Sequence, residues 1–283
     1  MKVLFVGLGQ MGERMAQRLD AEQTMVWNRS PKRLEGYQHA SSIEAGVQWA
    51  DVVIMMLTDH RAVHAVLQQG IWPNMVPGKV IVDMSTGDPD AAVDFEKQTN
   101  QLGGAFVAAP VAGSLVPAKR GELTVLAGGD PSAIAQVRSV LGHFGQVIEF
   151  SKVTEALGMK LVLNTQLGYA MDAVGEALRA AEQAGLDRER VLDVLAHSAV
   201  VSPAVVGKLS RWQQDTYHPA DFPIQLMGKD LEIMRQWAQR KGLPVPGIER
   251  ITELYQRAVD KGYGNEDISG VGQFLADASD GPS

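Results

Sequence analysis

The chain has 283 residues, of which 45% are hydrophobic and 21% charged, and its formal net charge is −7. An acidic chain without a run of basic residues is a poor candidate for binding nucleic acid or an anionic membrane surface. The absence of cysteine excludes disulfides, thiolate nucleophiles and cysteine-ligated zinc. The length leaves room for two domains, and we expect a soluble, cytoplasmic protein.

Residues 1–152 alternate short apolar segments with amphipathic ones. The predicted strands, in chain order, are Lys2–Val6, Met25–Trp27, Val52–Met56, Val80–Asp83, Ala105–Val107, Leu123–Ala127 and Gln146–Phe150. The predicted helices among them are Met11–Leu19 and Asp90–Leu102. Such alternation needs crossover connections that place helices on both faces of a mostly parallel sheet. The expected fold class is therefore α/β, with a doubly wound N-terminal sheet.

Residues 153–283 show only helical patterns. The longest, Met159–Ala184, is ended by Gly185 and runs for about 26 residues, or about 39 Å at the α-helical rise. Further helices are predicted at Arg188–Ala196, Leu226–Gln239 and Pro246–Lys261. We predict an all-α C-terminal domain that the long helix joins to the sheet, and we expect the last residues of the Gly264–Ser283 tail to be mobile.

A complete G-x-G-x-x-G, Gly7-Leu8-Gly9-Gln10-Met11-Gly12, lies between the first predicted strand and the first predicted helix. Gly7 permits a tight turn, Gly9 lets the backbone approach a pyrophosphate, and Gly12 lets the helix pack closely on the strand. The helix N-terminus that follows attracts phosphate groups. The motif in this context predicts a Rossmann domain whose six motif residues bind a dinucleotide cofactor.

The end of the second predicted strand, Asn28-Arg29-Ser30, bears on the choice between NAD and NADP. An NAD site usually has an acidic residue here, which binds the ribose 2′-hydroxyl. Neutral Asn28 would not repel a 2′-phosphate, and the Arg29 guanidinium can hold it and stack on the adenine. Lys32 and Arg33 follow closely. We predict NADPH, bound by Asn28, Arg29 and Ser30; a solvated basic turn is the alternative interpretation.

Lys160 interrupts an apolar run from Ala156 to Leu163, where a charge is costly unless it has a task. A reductase that delivers hydride to a carbonyl must stabilise and protonate the alkoxide that forms, and an ammonium group can do both. Asn164 lies one helical turn further on, on the same face. Lys160 is therefore a candidate proton donor, and Asn164 can orient it or hydrogen-bond the substrate oxygen; an ordinary surface lysine is the alternative.

Three further segments and a dipeptide, together with the glycine motif, resemble the β-hydroxyacid dehydrogenase family, which includes 3-hydroxyisobutyrate dehydrogenases and glyoxylate/succinic semialdehyde reductases. They are Asp83-Met84-Ser85-Thr86-Gly87-Asp88-Pro89, Ala109-Pro110-Val111-Ala112-Gly113-Ser114, Gly158-Met159-Lys160-Leu161-Val162-Leu163-Asn164 and Lys229-Asp230. The similarity extends to about residue 270. It is greatest to the glyoxylate/succinic semialdehyde reductases, through Asn28-Arg29-Ser30, Met159-Lys160-Leu161 and Phe222-Pro223.

The resemblance implies an NADPH-dependent oxidoreductase that transfers hydride between nicotinamide and a short-chain aldehyde acid or hydroxyacid, with Lys160 as the proton donor. The substrate contacts that it implies are Ser85, Val111, Ala112, Gly113 and Phe222. The further cofactor contacts that we expect are Leu57 and Thr58, at the end of the third predicted strand, with Thr86 and Lys229. Val111–Ser114 could present backbone amides to a substrate carboxylate in a turn. Plainer alternatives are a simple loop for Val111–Ser114, helix caps for Ser85 and Thr86, a surface residue for Lys229 and core packing for Phe222.

Two departures from the family pattern bear on the substrate rather than on the reaction. Ala112 stands where the family usually has serine, and Ala109 where it usually has an acidic residue. An imine reductase is the rival enzyme, although such enzymes typically lack the lysine. A non-catalytic NADPH-binding module would be expected to have lost Lys160 or Asn164.

The predicted assembly and metal content follow from two further patterns. The long apolar helix leaves much surface to cover, which predicts a homodimer or homotetramer. His60 and His64 are four residues apart but have no third ligand nearby in the sequence, so no metal site is predicted.

Overall fold

The structure, a computed structural model, describes residues 1–274. It divides into two compact units, Met1–Lys160 and Leu161–Ser283. The division falls inside the long helix, whereas the predicted domain boundary lies before it, at residue 152. The expected mobility of the end of the tail concerns residues 275–283, which lie outside the described residues.

The N-terminal unit contains a nine-stranded sheet. Its strands are β1 (Val3–Val6), β2 (Thr24–Trp27), β3 (Gln38–His39), β4 (Val52–Met55), β5 (Val80–Asp83), β6 (Ala105–Ala108), β7 (Val111–Ala112), β8 (Leu123–Gly129) and β9 (Gly145–Phe150). Its helices are α1 (Gln10–Ala16), α2 (Ile43–Trp49), α3 (His60–Val66), α4 (Pro89–Gln101), α5 (Leu115–Arg120), α6 (Pro131–Leu141) and the start of α7 (Val153–Gln183). A π-helical turn and a 3₁₀ turn, Leu67–Ile71 and Trp72–Asn74, follow α3.

Six strands pair in parallel in the order β3-β2-β1-β4-β5-β6. At the far edge β8 runs antiparallel to β6 and β7 antiparallel to β8, while β9 pairs in parallel with β8. The strand order reverses between β1 and β4, and open α/β sheets bind ligands at the carboxyl ends of strands at such a point. The predicted doubly wound α/β fold is confirmed.

The central strands are buried on both faces. Every residue of β1, β4 and β5 is buried, because helices cover the sheet on either side. Alternate residues of β1 enter opposite cores: Phe5 packs with Val26 and Val82 on one face, and Leu4 with Val53 on the other. This double burial explains why these strands form continuous apolar runs in the sequence.

Two predicted helix boundaries differ from the structure for local reasons. The helix expected over Met11–Leu19 ends as α1 at Ala16, after which tighter turns bond the amides of Arg18 and Leu19 to carbonyls three residues back. The long helix α7 begins at Val153 instead of Met159, since Val153 and Leu157 pack in the core of the N-terminal unit. Tertiary packing there outweighs the poor helix propensity of a glycine.

The C-terminal unit consists of helices. After α7 come α8 (Arg188–His197), α9 (Pro203–Val206), α10 (Leu209–Gln214), α11 (Ile224–Arg240), α12 (Pro246–Ala258) and α13 (Val271–Phe274). A π-helical turn, Val259–Tyr263, follows α12, and a 3₁₀ turn, Ile268–Gly270, precedes α13. The fully buried Trp212 and Tyr255 belong to its core. Across the described residues, strands end with β9 and no helix has the length and apolarity needed to cross a membrane.

Asp172, on α7, is a carboxyl group whose burial affects the stability of this unit. Burial and the nearby Glu176 raise its pKa to about 6, against a lowering by Arg250 and Arg179. Its Oδ1 is buried and has no hydrogen-bond partner among the described residues. Because its pKa is higher in the folded state than in the unfolded state, its stabilising contribution is complete below the unfolded pKa and disappears as the pH rises through about 6.

We therefore expect Asp172→Asn to be more stable than the unsubstituted protein at pH 7.5 and to lose that advantage near pH 4. Urea unfolding of both proteins across this pH range measures the difference in midpoint. Asp193→Asn, which changes an exposed aspartate of α8, serves as the control. A midpoint difference for Asp172→Asn that does not change with pH would contradict the assignment.

Candidate active site

The glycine motif forms the turn between β1 and α1. Gly7 has a φ of 100°, and a Cβ on it would lie 2.3 Å from the Met56 carbonyl oxygen. A Cβ on Gly12 would lie 2.0 Å from the Gly7 carbonyl oxygen, whereas one on Gly9 would meet nothing within 4 Å. The protein itself thus requires glycine at 7 and 12. The open space over Gly9, at the N-terminus of α1, would let a pyrophosphate approach the backbone closely.

Within the motif, the backbone of Leu8 is already engaged by the protein. Its amide donates to Asn28 Oδ1 at 2.9 Å, and its carbonyl accepts from Lys32 Nζ at 2.7 Å. Asn28 Nδ2 donates in turn to the Ser30 carbonyl at 2.8 Å. Leu8 and Asn28, both predicted to contact the cofactor, therefore also tie the glycine turn to the segment after β2. No pattern in the sequence indicates this second role.

The remaining predicted cofactor residues of these two segments lie at the surface of the N-terminal unit. Gln10 is exposed and Met11 half-buried in the first turn of α1. Arg29 and Ser30 are exposed, and Arg29 makes no hydrogen bond or ion pair with any described residue. An exposed guanidinium at the end of β2 can receive a 2′-phosphate.

Ser85 joins the carboxyl ends of β4 and β5. It is fully buried; its Oγ accepts from the Leu57 amide at 2.9 Å, and its own amide donates to Asp83 Oδ1 at 2.9 Å. The cap of α4 is Asp88, so the capping alternative for Ser85 and Thr86 is wrong. Thr58 is exposed and Thr86 half-buried beside these strand ends.

The segment expected to present amides in a turn over Val111–Ser114 is partly a strand. Val111 and Ala112 form β7 and pair with β8, because antiparallel pairing satisfies their backbone groups; the turn prediction is wrong for these two residues. Gly113 follows with a φ of 132°, and a Cβ on it would lie 2.6 Å from Leu123 Cδ2. Gly113 and Ser114 are exposed at the start of α5.

Lys160 and Asn164 occupy consecutive turns of α7 and are 9% and 4% exposed. This burial excludes the alternative of an ordinary surface lysine. Asn164 Nδ2 donates to Asp230 Oδ2 at 2.6 Å, and Lys229 Nζ forms an ion pair with Asp230 Oδ1 at 2.8 Å. Asp230, on α11, thus connects two of the predicted site residues within the C-terminal unit.

Asp230 contacts two of the predicted site residues and was not itself among the residues predicted from the sequence. A buried carboxylate only accepts hydrogen bonds, so it fixes the amide of Asn164 with the nitrogen toward it and the oxygen turned away. The available signal was its position next to Lys229 in the family-like dipeptide. The contact with Asn164, 66 residues earlier, depends on how α7 and α11 pack.

Phe222 precedes α11 and is half-buried against the core of the C-terminal unit. Its amide donates to Asp267 Oδ2 at 3.2 Å. The plainer alternative, a core aromatic, accounts for this packing, and a substrate contact stays a prediction. In the part of the chain that the structure describes, no group of three or more histidine, aspartate or glutamate side chains is placed to hold a metal ion.

Comparisons with known proteins agree with this geometry. Residues 2–158 match a family model described as the NAD binding domain of 6-phosphogluconate dehydrogenase, and residues 155–275 one described as NAD-binding of NADP-dependent 3-hydroxyisobutyrate dehydrogenase. The chain is 31% identical to glyoxylate/succinic semialdehyde reductase 1 of Arabidopsis thaliana, over 96% of this chain and 97% of that protein.

Two solved structures are also similar. A 3-hydroxyisobutyrate dehydrogenase from Salmonella typhimurium is 25% identical, covers 96% of this chain and 99% of its own, and has a TM-score of 0.86. A reductive aminase from Aspergillus terreus, solved with NADPH and ethyl levulinate, is 23% identical with a TM-score of 0.62 and covers 97% of this chain and 99% of its own. This second likeness shows the fold alone.

The sheet order, the glycine turn and these matches define a nicotinamide-dependent oxidoreductase. The chain belongs to the β-hydroxyacid dehydrogenase family, as predicted. Its predicted cofactor, NADP, is confirmed: the match over residues 155–275 is to NADP-dependent enzymes, and Asn28 replaces the acidic residue of NAD sites. The oligomeric state and the cytoplasmic location stay predictions.

Proposed function

We propose that this enzyme transfers hydride between NADPH and a short-chain aldehyde acid or hydroxyacid of the glyoxylate, succinic semialdehyde or 3-hydroxyisobutyrate type. The observation that carries the proposal is the buried Lys160, one turn before Asn164 on α7. The 31% identity to a glyoxylate/succinic semialdehyde reductase supports the substrate class.

Lys160 is the proposed proton donor. When bound, the reduced cofactor supplies the hydride that the carbonyl carbon receives. The Lys160 ammonium would stabilise the negative charge that develops on the carbonyl oxygen and then give that oxygen a proton. Its burial strengthens this electrostatic effect, because a charge acts more strongly where water is excluded.

Asn164 and Asp230 are proposed to position this chemistry. Asp230 holds the nitrogen of the Asn164 amide, which leaves the amide oxygen as the group that can accept from Lys160 or from a substrate hydroxyl. The Lys229 ion pair balances the buried charge of Asp230. This arrangement would keep Asn164 in one orientation through the reaction.

The segment around β7 bears on substrate choice. Ala112 cannot offer the side-chain hydroxyl that serine provides in most of the family, and the fully buried Ala109 donates its amide to the Asp83 carbonyl at 2.7 Å. With one donor fewer for a substrate carboxylate, we expect a preference for a larger or less polar acid than glyoxylate.

Steady-state rates with four carbonyl or imine compounds and both reduced cofactors test the proposal. We expect turnover of at least one aldehyde acid among glyoxylate, succinic semialdehyde and methylmalonate semialdehyde, with NADPH preferred over NADH. A cyclic imine should not be reduced, because Lys160 is suited to protonating an alkoxide. Reduction of the imine alone, or of none of the compounds, would overturn the proposal.

A further inference from the structure

Lys32, in the connection between β2 and β3, contacts the glycine turn. Its Nζ lies 2.7 Å from the Leu8 carbonyl oxygen and 2.6 Å from Glu13 Oε2. Leu8 is the second residue of the glycine motif, and Glu13 lies in the first turn of α1. The Lys32 ammonium group therefore links the segment after β2 both to the glycine motif, through Leu8, and to the first turn of α1, through Glu13.

Lys32 and Asn28, which belong to the same segment after β2, both bond the backbone of Leu8. Asn28 accepts from the Leu8 amide and Lys32 donates to the Leu8 carbonyl. Both backbone polar groups of Leu8, its N–H and its carbonyl, are thus hydrogen-bonded to side chains from residues 28–32. Because Gly9 follows directly, the position of the open space over Gly9 depends on these two bonds.

The ion pair with Glu13 distinguishes Lys32 from the other two basic residues after β2, Arg29 and Arg33. Glu13 neutralises Lys32, whereas Arg29 and Arg33 are exposed and make no hydrogen bond or ion pair with any described residue. A cation already bonded to a carboxylate and a carbonyl has less to offer a phosphate than an unpaired guanidinium, which can bind it in a bidentate way.

Glu13 needs this partner. Its carboxylate lies beside the glycine turn, where it would repel a pyrophosphate unless a cation compensates it. Lys32 provides that cation while bonding the turn itself.

We propose that Lys32, paired with Glu13, is a positioning residue for the pyrophosphate-binding turn, a role separate from the 2′-phosphate contact already predicted for Arg29. The inference rests on the NADP cofactor and not on the substrate proposed above. Its readout is cofactor binding alone, so a failed substrate assay would leave it intact.

The test is a fluorescence titration of NADPH and NADH against Lys32→Met and Arg29→Ala. We expect Lys32→Met to weaken both cofactors by the same factor, about threefold to tenfold, because it acts through the shared pyrophosphate. Arg29→Ala should weaken NADPH about tenfold or more and change NADH little, because only NADPH carries the 2′-phosphate.

Two further variants separate positioning from a general loss of structure. Lys32→Arg keeps the cation and should retain the affinity for both cofactors. In the double variant Glu13→Gln with Lys32→Met, removing the uncompensated carboxylate should restore part of the affinity lost in Lys32→Met. The proposal would be overturned if Lys32→Met selectively weakened NADPH, if it changed neither affinity, or if the double variant bound no better than Lys32→Met.

Discussion

Replacing Lys160 with alanine is expected to lower turnover by about a thousandfold, the usual worth of a general acid that also stabilises an oxyanion. The affinity for NADPH should stay within about twofold, because the pyrophosphate site is formed by backbone groups of the glycine turn. Alanine removes the buried ammonium group but keeps good helix propensity, so α7 should remain intact. Single-turnover hydride transfer and equilibrium NADPH binding measure the two effects separately.

Lys152→Ala is the matched control, since Lys152 is exposed just before α7 begins and should keep full turnover. Asn164→Ala should lose less than Lys160→Ala, because it removes orientation and not the proton. If Lys160→Ala retained near-normal turnover, the proton would come from elsewhere and the proposed role of Lys160 would be wrong.

Alanine at Gly9 is expected to weaken NADPH binding by about a hundredfold without destabilising the protein. The added methyl group meets nothing within 4 Å in the protein, so the folded state should accept it. It would instead fill the space over the N-terminus of α1, where the backbone must approach the pyrophosphate closely. Thermal unfolding and NADPH titration of the same preparation measure stability and affinity.

Gly12→Ala is the contrasting variant. Its Cβ would lie 2.0 Å from the Gly7 carbonyl oxygen, so α1 must move away from β1 and the melting temperature should fall by several degrees. Normal NADPH affinity in Gly9→Ala would mean that the cofactor does not use this turn, against the sequence motif and the geometry alike.

The parts of the fold that could be predicted are those whose sequence carries its own periodicity. β1, β4 and β5 are buried on both faces and so form uninterrupted apolar runs. β3 and β7 have two residues each. They are extended only because each pairs with a longer neighbouring strand. By contrast, α6 was missed although Asp130 and Pro131 form a standard helix start.

The same division holds in the candidate site. The glycine motif and the four-residue spacing of Lys160 and Asn164 are local patterns, so the sequence alone could place them. Asp230 reaches Asn164 across 66 positions, and Lys32 reaches Leu8 across 24. No spacing rule covers such contacts, because they depend on how distant segments pack.

The continuity of α7 has a consequence for engineering this enzyme. The residues at 160 and 164 lie four positions apart in an unbroken helix, about 6 Å along its axis, so a change that moves the backbone at one of them moves the other. Efforts to change the substrate preference should therefore leave α7 unchanged and begin at Ala112. Replacing Ala112 with serine adds one polar atom on a short edge strand.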